Sequence, residues 1–293
     1  MEELEYPRAD WLKHRVVLVH PGTWNLYRRR ANDLQPVFHD LIAALNAIGA
    51  NVDILTRDDA PLDIWIRDWG LVEGSFFRYR PSYAKGCYSD AAIRRARAGL
   101  INRLHFDSRR AIPVVLDGGN VVHNGRIAIV THKVLRDNPA LSRREIERAV
   151  VSIGFERVVF IPEEPGDVLG HADGVCRFVS SQLLLLNEYN TDVGRDFGRQ
   201  LRHAIWRAKL NVNFALLPWF HTDSFAQGVP SAEGCYMNFV QVHGGIVAPA
   251  FDHSADDKAQ RVLVEAIGSK VTSVKATSLA SFGGVFNCVS LTL

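Results

Sequence analysis

Along the chain, short β-rich apolar runs alternate with polar or glycine-rich breaks and with stretches whose apolar residues recur at helical spacing. A unit of one strand, a break, a second strand, an amphipathic helix and a further strand returns about every 50 residues, the period range of repeat architectures. Five passes can be counted. The first opens on the break at 63–70 (DIWIRDWG), continues through Leu71 and Val72, and predicts a helix from Asp90 to Leu104. The second takes 114–120 (VVLDGGN) as strand and break. It continues with a strand at Ile127–Val130, a helix at Ser142–Ile153 and a strand at Arg157–Ile161. The third has the break 171–174 (HADG), strands at Val175–Val179 and Leu183–Leu186, and a helix at Gly194–Ala208. The fourth passes from Phe214–Pro218 through runs at 235–240 and 244–249 to a helix at Ala255–Ile267. The fifth is split between the two ends of the chain. It combines Lys270–Lys275 and Val285–Leu293 with Arg15–His20, a helix at Asn32–Ile48 and a strand at Asn51–Leu55, so pairing of the ends would close a ring.

Local signals agree with this division. Ser142 followed by Glu145 reads as a capping box, and Gly154 stands just past the same helix, where a residue tolerant of positive φ is wanted. No linker-like or low-complexity segment interrupts the series, so residues 1–293 are expected to form one domain. Composition supports an ordinary globular protein, with 47% hydrophobic and 23% charged residues.

A formal charge of +2 argues against a nucleic-acid partner, which normally requires a basic stripe. The arginine groups at 28–30, at Arg94, Arg95 and Arg97, and at Arg143, Arg144 and Arg148 lie in helical stretches and read as solvated helix faces. The charged N-terminus lacks the apolar core of a secretory signal, and no apolar run is long enough to span a bilayer. Cys87, Cys176, Cys235 and Cys288 are far apart with no CxxC pair, which excludes a disulfide scaffold and a structural zinc site and implies a reduced, cytoplasmic setting.

Four polar positions fall at equivalent points of otherwise apolar units, where an ionisable group costs free energy unless paired or used. They are Asp68, Asp117, the pair His171 and Asp173, and Cys288. Units arranged around a common axis would bring these positions to one end of it. Cys288 follows the glycine pair Gly283–Gly284 and precedes an apolar strand, a setting for an emerging nucleophile, although cysteine also serves as a small buried hydrophobe. His171 suits proton transfer near neutrality, and Asp173 stands two residues on, on the same face if the segment is a strand. No third ligand at metal-site spacing accompanies the pair, so no metal is assigned. Asp117 before Gly118–Gly119 also has a plain reading as a turn carboxylate. Asp68 lies between Trp65 and Trp69, and a carboxylate beside aromatic faces suits a flat delocalised cation such as guanidinium, although both rings also read as core packing.

The motifs WIRDWG (65–70), DGGN (117–120), GHADG (170–174), YMNF (236–239) and GGVFNCVS (283–290) together resemble, in this order, those of the guanidino-group-modifying enzymes. Agmatine deiminases and bacterial peptidylarginine deiminases are the nearest groups by motif. The resemblance runs from about Asp63 to the C-terminus and implies the pentein fold, an α/β five-bladed propeller of five ββαβ units around a pseudo-fivefold axis. It also implies that Cys288 is the nucleophile and His171 the general acid/base, that Asp68 and Asp173 bind the guanidinium nitrogens, and that Asp117 hydrogen-bonds His171. With Trp65 and Asn120 added, substrate binding is assigned to Asp68, Asp173, Trp65 and Asn120. The chain departs from the agmatine deiminase pattern at Asn287, where a histidine is usual, at Leu71, where a proline is usual, and at Asp117, where a glutamate is usual.

The expected activity is hydrolytic deimination of a small guanidino compound, agmatine-like or arginine-derived, to a ureido product and ammonia. Thiol, imidazole and water supply every step without a cofactor. Amidino transfer to an amine and a non-catalytic pentein binding module are the alternatives. Arg67 and Arg177 read either as contacts for a substrate carboxylate or as structural ion-pair residues. The sequence sets no oligomeric state, and a homodimer is carried as an option.

Overall fold

The structure, a computed structural model, describes residues 7–23, 31–105, 110–222, 224–226, 229–268 and 270–293. The arginines at 28–30 lie outside the described residues. In chain order, β1 (Arg15–Val19) and β2 (Asn51–Leu55) are joined by helix α1 (Ala31–Ala47), and β3 (Ser75–Arg78) and β4 (Arg110–Val115) by α2 (Asp90–Leu104). Next come β5 (Val122–His123), β6 (Ile127–Thr131), α3 (Arg143–Val151) and β7 (Arg157–Ile161), then β8 (Cys176–Phe178), β9 (Leu183–Glu188), α4 (Asp192–Arg207) and β10 (Asn213–Pro218). A small ribbon, β11 (Phe225–Ala226) with β12 (Val229–Pro230), precedes β13 (Val240–Val242), β14 (Gly245–Ala250), α5 (Asp256–Ile267), β15 (Val271–Lys275) and β16 (Ser290–Thr292).

The same pairing recurs sheet by sheet. In β5-β6-β7, β8-β9-β10 and β13-β14-β15 the first pair is antiparallel and the second parallel, with a helix crossing between the parallel strands. The split unit obeys the same rule: β16 runs antiparallel to β1, with Val16 opposite Thr292, and β1 runs parallel to β2. The two ends of the sequence therefore share one sheet, as the hydrophobic pattern predicts. Strands inside such units are covered by helices and by neighbouring units, which accounts for continuous apolar runs such as Val16–Val19 and Leu184–Leu186, all essentially inaccessible to solvent.

Two elements differ from the sequence pattern. The run at 114–115 is the last strand of the first unit, paired parallel to β3, and not the opening of the second. The antiparallel arm of the first unit is reduced to a bridge between Val72 and Ser75, because Glu73 and Gly74 both take positive φ, 46° and 73°, and reverse the chain at once. The breaks at 63–70 and 171–174 are turns, and so are the apolar runs at 235–239 and 285–289, where strand begins only at Val240 and Ser290. Short helical turns occupy Ile66–Trp69, Gly118–Asn120 and Ala172–Gly174, and a further turn precedes β16. These turns pack against one another. They are where the chemistry-bearing residues sit.

The basic clusters behave as solvated faces with one exception. Arg94, Arg95, Arg143, Arg144 and Arg148 are exposed, but Arg97 folds inward. Its guanidinium donates to the carbonyls of Trp69 at 3.1 Å and Phe77 at 2.7 Å and lies 4.6 Å above the Phe76 ring, tying α2 to the turn that carries Asp68. All four cysteines are free. Among the described residues, no helix is long and apolar enough to cross a membrane.

Candidate active site

The site is assembled from backbone contacts between turns distant in sequence. Arg67 N–H donates to the Cys288 carbonyl at 3.2 Å, joining the Asp68 turn to the Cys288 turn. Gly118 lies so close to the Arg67 carbonyl oxygen that a Cβ there would stand 2.0 Å from it, and Gly119 N–H donates to Asp68 Oδ1 at 3.2 Å. Glycine at both positions is thus a packing requirement. Asn120 Oδ1 accepts from the N–H groups of Thr131 at 3.0 Å and Ala172 at 3.2 Å, pinning the HADG turn against the DGGN turn. Asn238 carries the fourth link: its carbonyl accepts from Asn287 N–H at 3.0 Å and its Oδ1 from Cys288 N–H at 3.2 Å.

These links bring Asp68, Asp117, His171 and Asp173 together, all nearly inaccessible to solvent. His171 Nε2 is hydrogen-bonded to Asp117 Oδ2 at 3.0 Å, and Nδ1 stands 3.6 Å from Asp68 Oδ1. A Cβ placed on Gly119 would lie 2.7 Å from Asp68 Oδ1, 2.9 Å from His171 Nδ1 and 3.3 Å from Asp173 Oδ2, so three candidate site side chains converge on one missing methyl group. His171 and Asp173 converge through a tight helical turn, with His171 capping it, rather than along a strand face. Asp173 Oδ2 accepts from Asn238 Nδ2 at 3.2 Å and from Asn287 Nδ2 at 2.5 Å. Asn287, which replaces the histidine usual beside the cysteine, therefore orients Asp173.

A cavity of about 860 Å³ opens onto this cluster and is lined by His171, Asp173, Asn238, Gly284 and Cys288 among others. Trp65 is half-buried beside it, its ring edge filling the space where a Gly284 side chain would begin, 2.5 Å from an added Cβ. Trp69 is fully buried and donates its indole N–H to Asp63 Oδ1 at 2.9 Å, which places it in the core. The cavity's outer wall carries Glu164, Asp167 and Glu233 with the aromatic residues Trp219 and Phe220, and among its described lining residues there is no lysine or arginine. Arg177 is paired with Asp10 at 2.8 Å and lies over Phe239, and Arg67 reaches the Asn287 carbonyl and Thr292, so both arginines are structural.

Burial and crowding set the electrostatics. Burial raises the Asp68 carboxyl to about 7, with the charges of Asp117 and Asp173 adding to it and His171 opposing. Burial alone would lower His171, but the Asp68 charge and the Asp117 hydrogen bond outweigh it and bring the imidazole up to about 9. For Asp117, burial is outweighed by the His171 and Lys133 contacts, which keep it ionised. The Cys288 thiol is pushed well above its ordinary value by burial and by the charges of Asp173 and Asp68. Burial also raises Glu164 in the outer wall to about 8, helped by Asp167. The pocket thus holds a neutral thiol, an imidazolium and an excess of carboxylate, an arrangement suited to receiving a cation.

Sequence reasoning missed several neighbours. Tyr83 donates its hydroxyl to Asp68 Oδ2 at 3.0 Å and meets the His171 ring edge-on at 6.0 Å between centroids. Cys235 lines the same cavity as Cys288, a placement that no spacing announces. Lys133 is fully buried behind Asp117, and its only sequence signal is an ammonium within the apolar stretch around Val130 and Val134.

Residues 8–293 match the model of the Porphyromonas-type peptidyl-arginine deiminase family. The agmatine deiminase of Stutzerimonas stutzeri (strain A1501) is 26% identical over 271 residues, covering 81% of this chain and 73% of that one. With four further agmatine deiminases, from Ectopseudomonas and Pseudomonas species, the alignment covers 60% of this chain and 56% of the relative. Among solved structures, a substrate-bound cysteine-to-serine variant of C. jejuni agmatine deiminase superposes with a TM-score of 0.80 at 13% identity, over 98% of this chain and 95% of that one. DDAH from Pseudomonas aeruginosa, complexed with citrulline, gives 0.62 at 13% identity over 96% and 100%. The mixed α/β fold is therefore the pentein fold of these structures, and the chain, matched over nearly its whole length, belongs to the Porphyromonas-type peptidyl-arginine deiminase family.

Proposed function

We propose that the chain is a cysteine hydrolase that deiminates a small, agmatine-like guanidino compound, within one catalytic domain spanning 1–293 and arranged as five blades about a pseudo-fivefold axis. The observation that carries this reading is the cavity with Cys288, His171 and Asp173 at its floor, Asp68 directly behind, and a wall without a described cation. An arginine α-carboxylate would meet the acidic side chains of Asp167 and Glu233 with no lysine or arginine among the described lining residues to pair it, whereas an ammonium or a neutral tail would not be repelled. The family match and the agmatine deiminase relatives support the same class. The four free cysteines support a reducing, cytoplasmic setting.

The mechanism follows from the charges. A bound guanidinium between Asp68 and Asp173, with Trp65 alongside, offsets the negative field that keeps Cys288 protonated, so on substrate binding the thiol releases its proton to water in the cavity and the thiolate forms only then. Sulfur attacks the central carbon, and a C–S bond forms as a tetrahedral adduct. His171, protonated and held by Asp117, gives its proton to the departing nitrogen; the C–N bond breaks and ammonia leaves, with the amidino group on sulfur. The neutral imidazole then takes a proton from water, whose oxygen attacks the same carbon. Loss of the thiolate completes the ureido product. Ammonia release should be measured across agmatine, arginine, methylated arginines, peptidyl-arginine and guanidino acids. Turnover of agmatine-like amines above all carboxylate-bearing substrates is expected. Preference for free arginine would overturn the assigned substrate class, and a new guanidine formed only with an added amine would overturn hydrolysis.

A further inference from the structure

Behind Asp117 the core contains an ionic chain that the reaction as described does not use. Lys133 Nζ donates to Asp117 Oδ2 at 2.7 Å and to Asp137 Oδ2 at 2.5 Å. Lys133 is 1% exposed, and Asp117 Oδ2 is the same oxygen that binds His171 Nε2. The other carboxylate oxygen, Asp117 Oδ1, is buried and has no hydrogen-bond partner among the described residues. One oxygen therefore serves both an ammonium and an imidazole. A buried lysine is rare without a task, because removing an ammonium from water is costly even when it is paired.

We propose that Lys133, with Asp137 as its counter-charge, is a positioning residue that limits the proton affinity of His171 through the shared oxygen of Asp117. This rests on the reading of His171 as general acid/base. Without the lysine, Asp117 would give its whole charge to His171, and Asp68 would hold the ring from the other side. The imidazolium would then be over-stabilised. It would still protonate the leaving nitrogen, but it would rarely be neutral when water must be deprotonated. Lys133 draws part of the Asp117 charge away and so keeps both stages accessible. Asp137 in turn sets how much of the lysine charge reaches Asp117.

Other groups face this chain. His171 is approached by Asp68, Asp117, Asp173 and the Tyr83 ring, and Cys288 shares its cavity. Near Lys133, a Cβ on Gly170 would lie 3.3 Å from Lys133 Cδ and 2.9 Å from Glu163 Oε2, and Glu163 is paired with Arg136 at 2.7 Å. None of these touches Asp117 Oδ2, so changes at Lys133 and Asp137 act on one oxygen. Because they carry opposite charges, they must move His171 in opposite directions, which a purely structural role for the pair does not require.

The test is an NMR titration of the His171 ring in the intact protein, without substrate, so that it does not depend on turnover. Lys133→Met is expected to raise the midpoint by about one unit, and Asp137→Asn to lower it. In parallel, Lys133→Met should leave KM for agmatine near wild type and slow adduct breakdown about tenfold below the His171 midpoint, since each unit removes that fraction of neutral imidazole. The amidino adduct on Cys288 should then accumulate, read by mass spectrometry after acid quench. A His171 midpoint unchanged in both variants, or shifted the same way in both, overturns the proposal. If Lys133→Met does not fold, Asp137→Asn alone decides by the sign of its shift. If the midpoints shift as expected while His171→Ala retains turnover, the coupling stands and it is the acid/base reading that fails.

Discussion

Gly119→Ala is the sharpest probe of the site, because glycine there is demanded by side chains rather than by backbone shape. Gly119 does not take a positive φ, so alanine is allowed by the backbone. Its Cβ, however, would lie 2.7 Å from Asp68 Oδ1 and 2.9 Å from His171 Nδ1, against ordinary contact from 3.4 Å. Both groups are buried and hydrogen-bonded, so relief requires Asp68 and the imidazole to retreat by about half an ångström or more, weakening the Gly119 N–H bond to Asp68 as well. Overpacking of this kind costs about 1–3 kcal/mol, partly offset by about 0.4–1 kcal/mol from the less flexible unfolded chain. The melting temperature should fall by only a few degrees. Misplacement of reacting groups is far more damaging to rate, and kcat for ammonia release is expected to drop about 100-fold, with KM rising as Asp68 shifts. Gly174→Ala is the matched control: it adjoins Asp173, yet the nearest atom to its Cβ is Cys235 Sγ at 4.0 Å, and it should keep kcat within about twofold. A folded Gly119→Ala protein within about threefold of wild-type activity would refute the claim that Asp68, His171 and Asp173 act from their observed positions.

Cys288 should alkylate slowly with iodoacetamide at pH 7, accelerating as pH rises. A haloacetamidine, whose positive charge offsets Asp68 and Asp173, should react on the order of 100-fold faster; equal rates would exclude cation-dependent activation. Tyr83→Phe removes a hydrogen bond that holds the Asp68 carboxyl down, so Asp68 should titrate above its already raised value of about 7. Cation binding needs the ionised form, so KM at pH 7 should rise about threefold to tenfold and recover by pH 9, and a pH-independent KM defect would count against this account. Asn287→Leu deprives Asp173 of its 2.5 Å donor while preserving volume, and an increase in KM of about tenfold with little loss of melting temperature is expected. An unchanged KM would mean that Asn238 alone suffices to orient Asp173.

Much of the fold was legible because its signals are local and repeated. The five long helices and most strands follow directly from apolar periodicity, and the capping box at Ser142 is present, with the Glu145 carboxylate accepting from Ser142 N–H at 2.7 Å. The pairing of β1 with β16 was foreseeable because a split unit leaves one half at each end. What the pattern left open was the conformation of the functional segments. HADG and DGGN read as breaks, with His171 and Asp173 set on one strand face, but the site needs side chains from four turns within bonding distance, and helical turns achieve that where extended chain would not. Tyr83 lies fifteen residues from Asp68 and Lys133 sixteen from Asp117. Neither contact leaves a periodic trace, since each depends on how turns within a unit fold back on one another and not on apolar spacing. The roles of Trp65 and Trp69, equivalent by composition, separated only once Trp69 Nε1 was seen to bond Asp63.

The shared sheet of β1 and β16 also has a consequence for biosynthesis. Translation releases β1 early, with one edge bare, and its antiparallel partner is produced only after every other unit. An unpaired apolar strand edge invites association with other chains, so protection by chaperones during synthesis matters more here than for a fold built from neighbours in sequence. The same order sets when the candidate site can form. The turn that carries Cys288 is anchored through the strand that follows it, so the cluster of Cys288 with His171 and Asp173 is completed only after that strand has been made.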